Sequence, residues 1–537
     1  MLTQRSLIIL ATVVLMLPLL GIAALLWRRF YRDDPANPVR RIFKNSAVPT
    51  ALRVFVKLLD LIFIIVLNAV LGTQDGIGSY YLAALLVGMY LSTFTDFGLG
   101  VLLTREVAKD ADAAPRLFGM TLALRLLLVG ISIPLVGVVI GIYQGLAAAG
   151  IGDALSPIGE QAMWVLALTL IPGAFSNAVT ALYNARERME VPAMMEVVTA
   201  LLNFLGRAAM LFLGFGILGV AWSAVVVTTL TAGVFLVLML RDFFRPRLRW
   251  DWPLMAATVP VALPLMLNGL LNAVFFRFDT FIVKAFGQGN GEALVIAYHN
   301  SYQLINIAMV VPPALTFAIF PTLARHAAGQ RTALAQAQNR TLQVLLLVAF
   351  PLAMGISVLA PDLLRLLTTK NADEIVPLGA PALAILAWFL PLSFVNGLIQ
   401  YVLIAIDQQR LITRAFVIAA VFNLLANLAF IPFYGLYAAA TITILSEIVL
   451  LLVFLPMLRK EHLTPPLLHL FWRPALAALA MGAAMVLVYG AVEPQFGWFG
   501  ASAAAALTAP LIYAPALWLL GAFGPDERAL ARRLIGR

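Results

Sequence analysis

Cysteine is absent from the 537 residues, so neither a disulfide framework nor a thiolate metal site can be built. Histidine is scarce: His299, His326, His462 and His469 are scattered, without the spacing of a ligand set. Charge is thin, with Asp, Glu, Lys and Arg at 12%, where soluble domains carry about a quarter. No Gly-x-x-x-x-Gly-Lys-Ser/Thr segment occurs, which argues against ATP hydrolysis by a P-loop in this chain. No cofactor and no metal are therefore expected.

Apolar surface is what the chain has in excess, at 62% hydrophobic residues and a mean hydropathy of +0.96. Crossing about 30 Å of hydrocarbon takes roughly 20 apolar residues per helix. Such runs fall at about 49–71, 80–103, 117–140, 162–183, 195–213 and 217–240. After the basic loop 241–252 come about 254–286, 295–324, 341–360, 379–405, 413–431, 436–458, 474–492 and 499–522. The expectation is an all-α polytopic membrane protein with about fourteen spans. An earlier run, Leu7 to Trp27, ends Leu-Leu-Trp-Arg-Arg rather than at a small-residue cleavage site. It reads as a retained extra helix, with a secretory signal as the competing reading. The expected domains are an N-terminal helix and basic linker (1–45), two six-helix bundles (46–240 and 253–460), and a C-terminal helix pair with a basic tail (474–537).

The net charge of +10 is explained by where the charges lie. If the linker 28–46 is cytoplasmic, 27 Lys and Arg fall on the cytoplasmic side. Only Arg5, Lys284, Arg365 and Lys370 fall on the other. Such asymmetry is the positive-inside pattern. It predicts a plasma-membrane protein with basic loops and C-terminus in the cytoplasm, and it removes any need for nucleic acid as a partner.

The sequence also repeats. Residues 183–205 align without gaps on 403–425, placing Glu187 on Asp407 and Asn203 on Asn423, and Ala-Val-Leu-Gly72 matches Lys-Ala-Phe-Gly287. Two parallel halves follow, and transporters built this way bind substrate between their repeats.

Five basic residues lie inside spans: Arg53, Lys57, Arg125, Arg207 and Arg277. A charge at bilayer depth costs roughly 2.5–3.5 kcal/mol on insertion scales, so it normally faces a cavity or a partner. Arg53, Lys57, Asp60 and Asn68 are spaced at offsets 0, 4, 7 and 15, one face of a helix. Asn268, Asn272 and Asp279 repeat the pattern at 0, 4 and 11, and His299, Gln303 and Asn306 stripe the next span. These stripes read as the lining of a central cavity for an anionic, lipid-linked substrate. Simpler readings stand beside this one. Arg53 can snorkel to the headgroups, Lys57 and Asp60 can neutralise each other, and Lys284 near the outer end can snorkel likewise. Asp96 and Arg125, at equal depth on neighbouring spans, suggest a structural ion pair. Asn203 suggests an interhelical hydrogen bond, and Arg207 has no partner legible in the sequence. Glu447, mid-span, is either an ion-coupling group or half of an interhelical pair; Asp60 and Asp279 are the other coupling candidates. Prolines 260, 264, 312 and 313 mark either moving parts or static kinks.

Gly-Ser-Tyr-Tyr-Leu-Ala at 78–83, Thr95-Asp-Phe-Gly-Leu-Gly100 with Thr104-Arg-Glu106, Phe278-Asp-Thr-Phe-Ile282 and Phe320-Pro-Thr-Leu323 carry a family resemblance. Over about 44–460 the chain resembles the polysaccharide-transporter branch of the multidrug/oligosaccharidyl-lipid/polysaccharide flippase superfamily. The resemblance implies a V-shaped pair of six-helix bundles. They would flip undecaprenyl-pyrophosphate-linked oligosaccharide outward by alternating access. In the related lipid II flippases, cavity arginines and a first-helix aspartate serve the pyrophosphate. Arg53, Lys57 and Asp60 supply those residue types here, at a different spacing to Gly72. Substrate contacts are expected from Arg53, Lys57, Asp60, Asn68, Asn268, Asn272, Arg277, Asp279, His299, Gln303 and Asn306. The expected partners are the lipid-linked saccharide and membrane lipids, with polysaccharide polymerases and glycosyltransferases as further candidates. The alternatives are a cation-coupled multidrug exporter of the same superfamily and, further off, a membrane glycosyltransferase or polymerase. The latter needs a large external loop with catalytic groups. Loop 141–161 carries only Asp153 and Glu160, so no enzyme is expected.

Overall fold

The computed structural model describes residues 38–72, 76–327, 329–368 and 370–522. The run Leu7–Trp27, the linker up to residue 37 and the tail from 523 lie outside the described residues, as does the side chain of Arg53. Among the described residues every regular element is helical.

Helix α1 runs Pro38–Leu71. The stretch expected as linker is thus helical from Pro38 onward. Proline's fixed φ suits a first turn, where a missing N–H costs nothing. Then come α2 Ile77–Lys109, α3 Ala114–Ala148, α4 Pro157–Ala185, α5 Glu190–Phe212, α6 Gly216–Asp242 and α7 Trp252–Arg277. Shorter pieces follow as α8 Asp279–Ala285, α9 Gly291–Ala308 and α10 Val311–Ala327. The chain ends with α11 Arg331–Val358, α12 Ala360–Leu367, α13 Ala372–Leu386, α14 Phe389–Ala405, α15 Gln409–Lys460 and α16 Leu467–Leu519. The break between α9 and α10 falls at Met309 and Val310, and Pro312 and Pro313 then sit in the first turn of α10, where a missing N–H costs little.

Ten helices among the described residues are long and apolar enough to cross a membrane, or eleven if α13 and α14, bent by 41°, are one span. Helices α15 and α16, of 52 and 53 residues, are each broken at a glycine with positive φ, Gly435 and Gly497. At about 1.5 Å per residue each can cross twice.

Packing divides the chain into two compact units. The first holds the described residues through His299, with Leu367–Ile375 and Asn427–Gly435. The second holds Asn300–Leu366, Val376–Ala426 and the described residues from Leu436 onward. In the first, Leu103, Phe118, Leu182, Tyr183, Phe235 and Met239 knit α2, α3, α4 and α6 into one apolar core. A second cluster, with Leu99, Met120, Met255 and Met266, draws α7 onto α2 and α3. Helix α2 is interrupted at Phe97 and Gly98, with φ of 52° and 73°. A Cβ at Gly98 would lie 2.5 Å from Leu265 Cβ, so α7 rests on bare backbone there. In the second unit α16 packs on α11, and Tyr513 donates a hydrogen bond of 3.0 Å to the Leu347 carbonyl.

Candidate functional site

A polar hollow in the first unit lies between α1 and α5. Val56, Asp60 and Phe63 on α1 recur every three or four residues, as do Glu196, Thr199, Asn203 and Arg207 on α5, so each set forms one helical face. The two faces enclose about 230 Å³. The Arg207 guanidinium lies 5.4 Å from the Phe63 ring centroid, within cation–π range, and its Nε is buried without a hydrogen-bond partner among the described residues. Among the described residues, Lys57 and Arg207 are cations whose fields reach the Asp60 carboxylate. Asp60 and Arg207 are half-buried in this wall, while Glu196 and Lys57 are exposed at its edge, so the hollow carries charge of both signs. That Glu196 and Arg207 share a hollow with Asp60 was not foreseen. The legible signal was their spacing, since residues 196, 203 and 207 fall at offsets 0, 7 and 11. Asn203 stands at the wall of the hollow, with its Oδ1 buried and without a partner among the described residues.

The other expected residues separate into groups. Lys57 is exposed beside Asp60. Asn68 is buried two turns further on, where its Nδ2 donates to the Leu367 carbonyl at 2.8 Å. Asn268 and Asn272 are exposed on α7, whereas Asp279 is 2% exposed. Phe278, between α7 and α8, keeps helical backbone angles of φ −70° and ψ −27°, so what differs along the three is their surroundings. Asp279 instead turns inward and accepts hydrogen bonds from Tyr298 Oη and, at 3.3 Å, from Thr280 Oγ1. Next to it, His299 stacks on Tyr81 with ring centroids 3.9 Å apart. The charge of half-buried Arg277 acts on both Asp279 and His299. Along α9, His299, Gln303 and Asn306 form a half-buried stripe.

Asp96 and Arg125 meet at 2.6 Å, with the Arg125 side chain fully buried. Asp96 sits just ahead of the interruption in α2, and its Oδ2 also accepts from Gly100 N at 3.4 Å where the helix restarts. The Thr95–Gly100 motif is therefore a helix break with its own cap and counterion.

Lys284 is a correction to the snorkelling reading. It is 2% exposed, paired with Glu292 at 3.2 Å, and it donates to the Ala154 carbonyl at 2.9 Å. The loop after α8 folds back here, because Asp153 accepts from the N–H groups of Gly289 and Gly291 at 2.7 and 2.9 Å. Glu292 in turn accepts from the backbone N–H and hydroxyl of Ser79.

Glu447 lies in the second unit at 1% exposure. Its Oε2 accepts from Asn396 Nδ2 at 2.5 Å, and among the described residues it has no ion-pair partner. No group of three or more His, Cys, Asp and Glu that could hold a metal ion occurs among the described residues.

The family profile described as polysaccharide biosynthesis protein matches residues 77–377, more than half of the chain. No curated protein matches it significantly. Among solved structures, one described as the lipid II flippase MurJ in an inward closed conformation superposes with a TM-score of 0.69 at 13% identity. That match covers 92% of this chain and 100% of the other. An inward-facing multidrug resistance MATE family transporter matches at 0.58 and 19% identity, over 76% of this chain and 94% of that one. A transporter of the MOP superfamily from Pyrococcus furiosus matches at 0.57 and 16% identity, over 81% and 97%. Identities this low establish the fold, and the family profile establishes kinship. The chain belongs to the polysaccharide biosynthesis protein family, and its fold is that of the multidrug/oligosaccharidyl-lipid/polysaccharide flippase superfamily.

Proposed function

We propose that the chain is a secondary transporter that flips a polyprenyl-pyrophosphate-linked oligosaccharide from the inner to the outer leaflet of the plasma membrane, for cell-surface polysaccharide synthesis. The observation that carries this reading is the mixed-charge hollow between α1 and α5, in a chain of a polysaccharide biosynthesis family. Arg53 and Lys57 receive the pyrophosphate at the cytoplasmic mouth, and Asp60 holds Lys57 when the site is empty. A multivalent anion is the ligand that justifies cations at membrane depth, through charge-assisted hydrogen bonds. Asn68, Asn268, Asn272, Arg277, Asp279, His299, Gln303 and Asn306 contact the saccharide as the bundles 46–240 and 253–460 alternate. Asp60, Asp279 and Glu447 are the carboxylates available to a coupling ion. The basic loops and the C-terminus face the cytoplasm, where glycosyltransferases would deliver the substrate, and a polymerase would take it up outside.

The deciding experiment is flipping of a fluorescent lipid-linked saccharide in proteoliposomes. An Arg53→Ala, Lys57→Ala double variant of normal yield should lose flipping. Wild-type flipping by that variant removes α1 from the mechanism. The second reading, a cation-coupled drug exporter, is favoured by the carboxylates Asp60 and Glu196 in the hollow. Extrusion of a cationic dye by protein inert toward the lipid-linked saccharide would establish it instead.

A further inference from the structure

Residues 243–251 join α6 to α7 as an extended strap, and the structure fixes this strap at both ends and at its middle. At the start, Asp242 accepts from Tyr183 Oη at 3.0 Å and pairs with Arg188 at 3.2 Å. Phe243 and Phe244 turn inward onto the core, edge-on to Tyr183 and Phe118. At the middle, Arg249 N–H donates to the Gly119 carbonyl at 3.2 Å. The strap lies so close to α3 that a Cβ on Gly119 would come within 2.3 Å of the Arg247 carbonyl oxygen. At the end, Asp251 pairs with Arg116 at 3.0 Å and caps α7 by accepting from Leu254 N–H at 3.3 Å.

What the strap presents outward is amphipathic. Arg245, Arg247 and Arg249 are all exposed and fall at every second residue of this non-helical segment. Arg249 is 3.8 Å from Asp251, while Arg245 and Arg247 make no ion pair among the described residues. Between and beyond them Leu248, Trp250 and Trp252 stand 47%, 59% and 67% exposed. Both flanking helices are long and apolar enough to span a membrane, so the strap sits at a membrane–water boundary by connectivity alone. Tryptophan prefers that boundary, and unpaired arginines there seek phosphate.

We propose that the strap is a docking strip for anionic phospholipid headgroups, with Arg245 and Arg247 as the phosphate-binding residues and Leu248, Trp250 and Trp252 as its interfacial anchor. Pinning on Gly119 matters because a preorganised array loses little entropy on binding. The ligand is a lipid of the surrounding bilayer rather than cargo, so the proposal stands apart from the transport reading.

The full chain has no cysteine, so Leu248→Cys provides a single attachment point for an environment-sensitive fluorophore. Purified labelled protein is titrated with mixed micelles containing phosphatidylglycerol or phosphatidylcholine. Phosphatidylglycerol should shift the emission to the blue at far lower lipid fraction than phosphatidylcholine. Adding Arg245→Gln and Arg247→Gln should weaken that response roughly 30-fold, the product of two basic residues at a membrane surface. Raising salt from 0.15 to 1 M should weaken it in the unsubstituted strap as well, a test that needs no arginine variant. Equal responses to the two lipids, or a response indifferent to both the arginines and salt, overturns the proposal. Displacement of phosphatidylglycerol by millimolar inorganic pyrophosphate also overturns it, by making the strap a site for free phosphate.

Discussion

Glu187 and Asp407, 220 residues apart, hold the same left-handed backbone conformation, with φ of 56° and 59°. The same hydrogen bond closes each turn: Arg188 N–H donates to the Tyr183 carbonyl at 3.0 Å, and Gln408 N–H to the Leu403 carbonyl at 2.8 Å. The internal repeat is thus written in the backbone as well as in a few shared side chains. Each turn ends one helix and starts the next, the usual place for such a residue. A β-branched side chain is poorly tolerated at positive φ. Glu187→Val and Asp407→Val should each cost about 1–2 kcal/mol, whereas Asp407→Gly should be neutral or stabilising. Thermal unfolding in detergent checks the order, and equal melting temperatures for Val and Gly at 407 would contradict it.

Among the described residues, Asp96 is the counterion of a fully buried Arg125, at 2.6 Å. Removing one partner of such a pair leaves the other uncompensated, at about 3–5 kcal/mol. Asp96→Ala should therefore lower the melting temperature sharply, and Arg125→Ala should do so as well. Exchanging the two charges should recover part of the loss. Normal stability with abolished transport in both single variants would make the pair a transport site instead.

Lys284 and Glu292 form a second buried relationship, and it makes a different prediction. Glu292→Ala strands a lysine that is 3% exposed at its side chain, so it should destabilise the protein. Removing both charges with Lys284→Met and Glu292→Gln should recover most of that loss, because neither group is then left unpaired. Additive losses in the double variant would show that the two side chains act independently.

Asp251 makes stability depend on acid. Its hydrogen bond from Arg116 holds the carboxyl below the ordinary aspartate range, with the Leu254 N–H and the Arg116 charge adding to the effect. A carboxyl with depressed folded pKa contributes stability above its unfolded value, about 3.9. That contribution should be lost as pH falls through the lower folded value. Asp251→Asn should flatten this part of the acid limb of a pH–melting curve and leave the shape near neutrality unchanged. An unaltered acid limb would remove Asp251 as its source.

Much was legible because the membrane imposes one-dimensional rules. Apolar runs of about 20 residues, basic loops and an offset of 220 are properties of the chain itself. They predict the all-α architecture, the crossings and the repeat without any knowledge of packing. The pairing of Asp96 with Arg125 could be suspected because depth along a helix is also a count of residues.

Lateral neighbours are not encoded that way. Which face of α5 meets α1, and hence that Glu196 and Arg207 share a hollow with Asp60, follows from side-chain packing between helices far apart in sequence. Along the spacing of Asn268, Asn272 and Asp279 the first two are exposed, while Asp279 is buried against Tyr298, because burial at each level depends on which neighbour packs there. Lys284 looked like a residue reaching for water, until a returning loop supplied Glu292 and the Ala154 carbonyl. Periodicity and hydropathy determine which residues can face a partner, because they depend on local geometry and solvent alone. The partner itself is decided only when the tertiary fold brings distant backbone and charge within a few ångströms.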